Sequence, residues 1–386
     1  MKKLIKKILR ENIIREERTR VNVPVPEDVK KIKDVFVKNG YKLYIVGGAV
    51  RDALLGKTPK DYDLATNALP DKVESMMQQA GFRTLETGKA FGVINVFIDD
   101  EEYEIATFRT DVGSGRRPDS VEFTTIDQDV KRRDLTINAL FYDIDTGEVV
   151  DLVGGVDDLK NGIVRTVGSA KERFEEDRLR ILRAIRFAGR FGSGLDPAVD
   201  AALKKDNSLE GISPERIRDE FLKGIKTSKS VKHFLSLIDQ YNLWGNIFPG
   251  LTINTSDVAN DKDPIITIAN LLKNNEPNNL SKVLNKLTYS TSENKAITFL
   301  VALQQFDNPD KVYIFKKLQN KSGIGDEQIL KFGMLAKLPI RLIKPFIGFN
   351  LSVNGKQAQE ELGVKPGPEM GKAIEKMEID KFKALL

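Results

Sequence analysis

The stretch "YIVGGAVRDALLGKTPKDYDLAT", Tyr44 to Thr66, decides how this chain is read. An apolar, strand-like run ends in Gly47-Gly48, a short helical segment "AVRDALLG" stops at Gly56, and a second strand-like run carries Asp61 and Asp63 with one residue between them. Side chains at i and i+2 of a strand leave from the same face, so these carboxylates repel each other unless a cation or a cluster of donors neutralises them. An acidic pair alone is more often a surface turn. The turn before it changes the balance, because glycines between strand and helix let backbone N–H groups approach a phosphate. Arg51, on the helical segment, reaches a phosphate oxygen in this reading; in the plainer one, Arg51 and Asp52 are a solvated surface pair. An oxygen-only pair suits Mg²⁺, which keeps several waters and takes further ligands from substrate phosphates.

Beyond this stretch, "FGVINVFID", "YEIATFRT" and "SVEFTTI" are rich in β-branched and aromatic residues and are separated by polar turns. The first 150 residues therefore read as α+β with a mixed or mostly antiparallel sheet. A third carboxylate is expected from a neighbouring strand. "EEYEIATFR" offers Glu104, with Glu102 on the same strand face as the competing choice. From about Ser169 strand signals vanish, and helical patterns such as "AKERFEEDRLRILRAIRFAGRF" and "SPERIRDEFLKGI" follow one another across Gly, Pro and Asn breaks, so the remainder reads as all-helical.

With 386 residues the chain exceeds one ordinary core and fits roughly two to three domains. Cys is absent and His occurs once, at His233, which excludes thiolate nucleophiles, disulfides and Cys-based zinc sites and leaves little room for a His-centred triad. Any chemistry rests on carboxylates, lysines, arginines or a bound metal. No apolar run approaches the roughly 20 residues of a membrane span, and the basic N-terminus lacks the continuous apolar stretch of a signal peptide, so a cytoplasmic protein is the default. There the spacing of Leu4/Ile5, Ile8/Leu9 and Ile13 suits an amphipathic docking helix. A net charge of +5 permits a nucleic-acid partner.

Two further clusters carry chemistry. In "VKRRDLTINAL" the doublet Arg132-Arg133 is followed at once by Asp134 and an apolar run, which looks placed rather than merely solvated. In "EDRLRILRAIRF" Asp177, Arg180, Arg183 and Arg186 recur every third residue, a drifting polar stripe beside the apolar one of Leu179, Leu182 and Ile185. One reading is a charged helix face beside a core. The other is recognition: an aspartate accepts from an exocyclic amine while an arginine donates to ring acceptors. Cytosine and adenine offer both groups on one edge, whereas uracil and guanine place a carbonyl where the amine stands, so such a pair selects CTP and ATP without a template.

At this point the chain resembles the class II tRNA nucleotidyltransferases, the bacterial-type CCA-adding enzymes of the polymerase β superfamily. The likeness runs from about Val25 to the C-terminus through five ordered segments: "GGAVRDALLG…DYDLAT", "RRDLTINAL", "DLVGGVDDL", "EDRLRILRAIRF" and "ISPERIRDEFLK". It implies a basic extension over 1–24, a catalytic nucleotidyltransferase head over 25–160, and helical neck, body and tail over 161–230, 231–315 and 316–386. By position it makes Asp61 and Asp63 the Mg²⁺ ligands and Glu104 the third catalytic carboxylate. Gly48 and Arg51 would contact the triphosphate, and Arg133 and Asp134 the nucleotide sugar and phosphates. Asp177 and Arg180 would read the base, Arg183 and Arg186 would complete the pocket, and "ISPERIRDEFLK" would brace the base-reading helix. The implied activity is addition or repair of the tRNA 3′-terminal CCA from CTP and ATP, by two-metal transfer releasing pyrophosphate. The tail segment from Leu351 to Met377 would grip the tRNA elbow.

Rivals are a poly(A) polymerase, which would carry an arginine-rich strand where this chain has "TGKAFGVINV", and an enzyme adding only CC or only A; the glycine-containing "RTDVGSGRRPDSVEF" loop favours the full activity. A glycosyltransferase using the same aspartate pair explains neither "RRD" nor the Asp/Arg helix, and a silent tRNA-binding protein does not explain three carboxylates at one site. Monomer and homodimer both stay open.

Overall fold

The computed structural model describes residues 17–113, 119–256 and 258–386, which divide into two compact units. The first holds the described residues up to Ala184 together with Ser193–Asp206; the second holds Ile185–Gly192 and Asn207–Leu386. The expected divisions at 24, 160, 230 and 315 are not the boundaries of this partition, which all fall within 161–230. The expected N-terminal helix and the centre of the glycine loop fall at 1–16 and 114–118, outside the described residues.

Among the described residues the first unit holds ten strands: β1 Glu17–Arg20, β2 Leu43–Val46, β3 Asp63–Thr66, β4 Arg83–Leu85, β5 Val93–Ile98, β6 Glu101–Thr107, β7 Arg109–Val112, β8 Ser120–Phe123, β9 Leu140–Asp143 and β10 Glu148–Asp151. Eight form one sheet in the order β1-β10-β9-β2-β3-β6-β5-β4, while β7 and β8 pair as a separate hairpin. All the pairings are antiparallel except β3 with β6. The sheet is thus mixed, as its sequence suggests. Residues just before Val21, read as part of a basic extension, supply its edge strand: β1 pairs with β10, Glu17 opposite Asp151.

Alternation along the central strands feeds two cores at once. Leu43, Ile45, Leu64, Leu140, Tyr142 and Val149 pack into one cluster with the helices Glu27–Lys38 and Pro70–Gln79, through Val29, Ile32, Phe36, Val73 and Met77. Their alternate neighbours Tyr44, Val46, Ala65, Phe141 and Val150 fill a second cluster with Phe108 and Val130. Strands buried on both faces read as continuous apolar runs, which is why "LYIV" shows no polar alternation.

In the second unit the described residues form helices without strands. Pro opens many of them directly after a capping residue, as at Ser213-Pro214, Asp263-Pro264 and Glu276-Pro277, because the missing N–H is an unpaired one at that position anyway. Ring clusters fix its core, with Phe221 against Phe234, Trp244 and Phe248, and Phe306 against Phe315, Phe346 and Phe382. Among the described residues no helix is long and apolar enough to cross a membrane.

Candidate active site

The acidic pair sits where the sheet has its single parallel pairing. Asp63 is the first residue of β3, and Asp61 lies two residues earlier, in the segment that leads into the strand and not in the strand itself. The register Leu64↔Ile105 sets Asp63 level with Glu104, one residue earlier on each strand. Leu64 and Ile105 turn into the first core, so Asp63 and Glu104 leave from the opposite face. Asp61, Asp63, Glu102 and Glu104 line one cavity of about 550 Å³ together with Lys60 and Asn95.

The carboxylates feel one another. Burial, the proximity of Asp61 and an opposing Arg133 guanidinium leave the Asp63 carboxyl above its ordinary value; burial, then the charge of Asp63, raises that of Glu104. Glu102, the competing residue, accepts from the amide of Asn95 within the same cavity. Among the described residues no three acidic, His or Cys side chains already converge into a metal-binding group. The donor set nevertheless fits a hard divalent cation, which needs only one or two carboxylates when waters and phosphates complete its shell.

Beside the cavity, Gly47 takes φ 66° and ψ −115° to turn β2 into the helix Gly48–Leu54, a conformation open to glycine. The Arg51 guanidinium on that helix is buried, bonded to Asp52 at 3.0 Å and to the Asn138 side-chain oxygen at 2.5 Å. This is a built interaction and not a solvated surface pair. Arg133 lies over the Phe141 ring, 4.5 Å from its centroid, and pairs at 3.1 Å with Asp129, a buried carboxylate that also holds Arg132 at 2.9 Å and the Arg109 N–H at 3.1 Å. Asp134 receives Arg183 through Nε at 2.7 Å and Nη2 at 2.6 Å. Burial works to raise its carboxyl, but Arg183, the Leu135 N–H and the Asn138 amide outweigh it and hold the group below its ordinary value.

The polar stripe from Asp177 to Arg186 does not run along one helix. The pattern breaks at Asp177, extended at φ −148°, between the helices Ala170–Glu176 and Leu179–Phe191. A carboxylate that accepts the Leu179 N–H at 3.0 Å favours that break, since it satisfies a donor the helix start leaves open. Arg180, in the first turn, bonds Glu176 at 2.5 Å, the Arg173 carbonyl at 3.2 Å and the Arg132 carbonyl at 3.0 Å. Asp177, Arg180 and Arg183 therefore share the first unit with the acidic cavity, whereas Arg186 belongs to the second. Its buried guanidinium pairs with Glu220 of the helix Pro214–Thr227, within the segment expected to brace it.

Sequence reasoning passed over Asp129, Asn138 and Arg173, which donates to the Lys131 carbonyl at 2.7 Å. Asp129 precedes its arginines by three and four residues, a spacing that a helical turn brings together. Nothing local marks Asn138, which looks like one polar residue inside an apolar run.

Known proteins fit this arrangement. Residues 43–165 match the family described as Poly A polymerase head domain, and residues 195–254 one described as probable RNA and SrmB-binding site of polymerase A. Over 389 residues the chain is 35% identical to the CCA-adding enzyme of Ligilactobacillus salivarius, covering 92% of each protein. It is 41% identical over 263 residues to the mitochondrial CCA tRNA nucleotidyltransferase 1 of Homo sapiens, covering 64% of this chain and 60% of that one. Among solved structures, the Bacillus stearothermophilus CCA-adding enzyme in complex with CTP matches with a TM-score of 0.70 at 27% identity over 92% of both chains.

Proposed function

The chain belongs to the CCA-adding enzymes, and from that premise we propose that it builds or repairs the 3′-terminal CCA of tRNA, taking nucleotides from CTP and ATP at the cavity of Asp61, Asp63 and Glu104. The observation that carries the site is the parallel register of β3 and β6, which sets Asp63 beside Glu104, with Arg133 opposing Asp63 and Arg109 opposing Glu104.

In this reading Asp61 and Asp63 hold Mg²⁺, with Glu104 as the third carboxylate. The bound cation supplies positive charge to the transferring phosphate and to the departing pyrophosphate. The chain's own groups do the rest. Gly48 and Arg51 meet the triphosphate at the turn after β2, and Arg133 adds positive charge where the phosphates lie closest to Asp63. Asp134, its charge balanced by Arg183, accepts from the sugar. Asp177 and Arg180 read the base edge, and Arg186, paired with Glu220, steadies the helix that carries Arg180. We assign the head to 25–160, the neck to 161–230, the body to 231–315 and the tail to 316–386, with the tail contacting tRNA. A relative named a CCA-adding enzyme that matches over 92% of the chain favours this over a poly(A) polymerase.

The test is incubation of the purified protein with a tRNA transcript lacking its last three nucleotides, magnesium and each labelled nucleotide in turn. Two C additions followed by one A are expected. A run of A, or a stop after CC or before it, overturns the proposal in favour of one of the rivals.

A further inference from the structure

Between the arginine of the glycine turn and the aspartate of "RRD" stands one neutral side chain. Asn138, 9% exposed, closes the short turn Thr136–Asn138. Its oxygen accepts from Arg51 Nη1 at 2.5 Å, and its Nδ2 donates to Asp134 Oδ1 at 3.3 Å. The neighbours fix which way the amide points: reversed, its NH₂ would face a guanidinium and its oxygen a carboxylate. The turn itself is anchored, with the Thr136 N–H on the Arg165 carbonyl at 3.0 Å and the Thr136 hydroxyl on Asp158 at 2.7 Å. Asp134 is thereby held from two sides, since its other oxygen is taken by Arg183.

We infer that Asn138 is a positioning residue, a neutral coupler that sets the Arg51 guanidinium and the Asp134 carboxylate at a fixed separation, so that triphosphate contact and sugar contact are held in register. The amide does both at once. A carboxylate would keep the acceptor for Arg51 and repel Asp134, and an aliphatic chain of the same size would serve neither. The inference rests on the assignment of Arg51 and Asp134 to the nucleotide proposed above.

The experiment compares wild type, Asn138→Leu, Asn138→Asp and Asp134→Ala, each checked by thermal melting, in single-nucleotide addition with CTP and dCTP. Loss of a hydrogen bond to a charged partner is worth about tenfold or more. Asn138→Leu should raise KM for CTP about tenfold through Arg51 and lower the CTP-over-dCTP preference about tenfold through Asp134. Asn138→Asp should lower the preference as much while leaving KM within about threefold, because Arg51 keeps its acceptor. A structural role alone predicts less folded protein with KM and preference unmoved, and that result overturns the inference. If Asp134→Ala leaves the preference unchanged, the sugar assignment of Asp134 fails, and Asn138 is judged on the KM split between its two variants: a split upholds the coupling to Arg51, and none refutes it.

Discussion

Replacing Asp177 separates the cap that the structure shows from the base reading proposed for the same carboxylate. It accepts the Leu179 N–H at 3.0 Å as a helix-start cap, and in the proposed reaction it accepts the exocyclic amine of cytosine or adenine. Asp177→Ala removes both. Loss of the cap costs about 1 kcal/mol, or roughly 2–4 °C in melting temperature for a unit of this size. Loss of a base contact costs about 1–3 kcal/mol of discrimination, which is tenfold to a hundredfold or more in preference. Asp177→Asn keeps an oxygen for the cap, and its NH₂ can face the carbonyl that uracil presents in place of the amine. Both variants should therefore lose at least about tenfold in CTP-over-UTP preference, while only the alanine variant melts lower. Single-nucleotide addition with CTP and UTP separately, at matched folded fraction, measures the ratio. An unaltered ratio in both variants, with a lower melting point for alanine, would reduce Asp177 to a cap and refute base reading.

Other outcomes follow from buried contacts and from charge. Glu220→Ala leaves the Arg186 guanidinium buried without its counter-charge and should cost about 3–5 kcal/mol by chemical denaturation, most of it recovered when Arg186→Met and Glu220→Leu are combined; a loss under about 1 kcal/mol in the single variant would contradict the burial argument. Gly155→Ala places a Cβ 2.2 Å from the Thr136 carbonyl oxygen, a backbone atom that cannot step aside, so the turn bearing Asn138 should shift at a cost of about 1–3 kcal/mol with nucleotide addition falling alongside; unchanged addition would show that the turn is not critical. Asp63 and Glu104 have raised carboxyl pKa values, so the folded chain holds their protons better than the unfolded one. Stability without a cation then declines as pH rises from the ordinary carboxylate range through their raised values. On the proposed assignment, magnesium held there would oppose that decline, so the rise in melting temperature on adding it should be larger at about pH 7.5 than at about pH 5. An equal rise at both would remove these carboxylates from the metal site.

Much of this was legible in the chain because it rests on local rules. The Gly-Gly turn, the β-branched and aromatic run "VINVFI" and the Pro-led helix starts are each decided within a few residues. What escaped depends on long-range pairing. β9 and β10 hide in and after the run following "RRD", because a strand buried on both faces has the periodicity of any apolar segment. The break at Asp177 was masked by a charge spacing that continues across it. That Arg51 is buried could not be read locally either: its partner Asn138 lies 87 residues away in sequence.

The loop Lys131–Asp134 explains why so many arginines precede a site for an anionic substrate without dispersing it. Arg173 takes the Lys131 carbonyl, Arg180 the Arg132 carbonyl and Arg183 the Asp134 carboxylate, three successive grips from residues 173–183 on one short segment. Each grip spends guanidinium donors on protein acceptors, and Asp129 and Glu176 balance neighbouring charges. Arg180, one of the two side chains that would read the base, is therefore fixed to the backbone that presents Arg133 and Asp134. A substitution at Arg173, which in this scheme touches no nucleotide, should then disturb base choice and phosphate contact together. Arg173→Met is expected to lower CTP-over-UTP preference and raise KM in the same protein, and movement of one without the other would show that the two halves of the site are not joined through this loop.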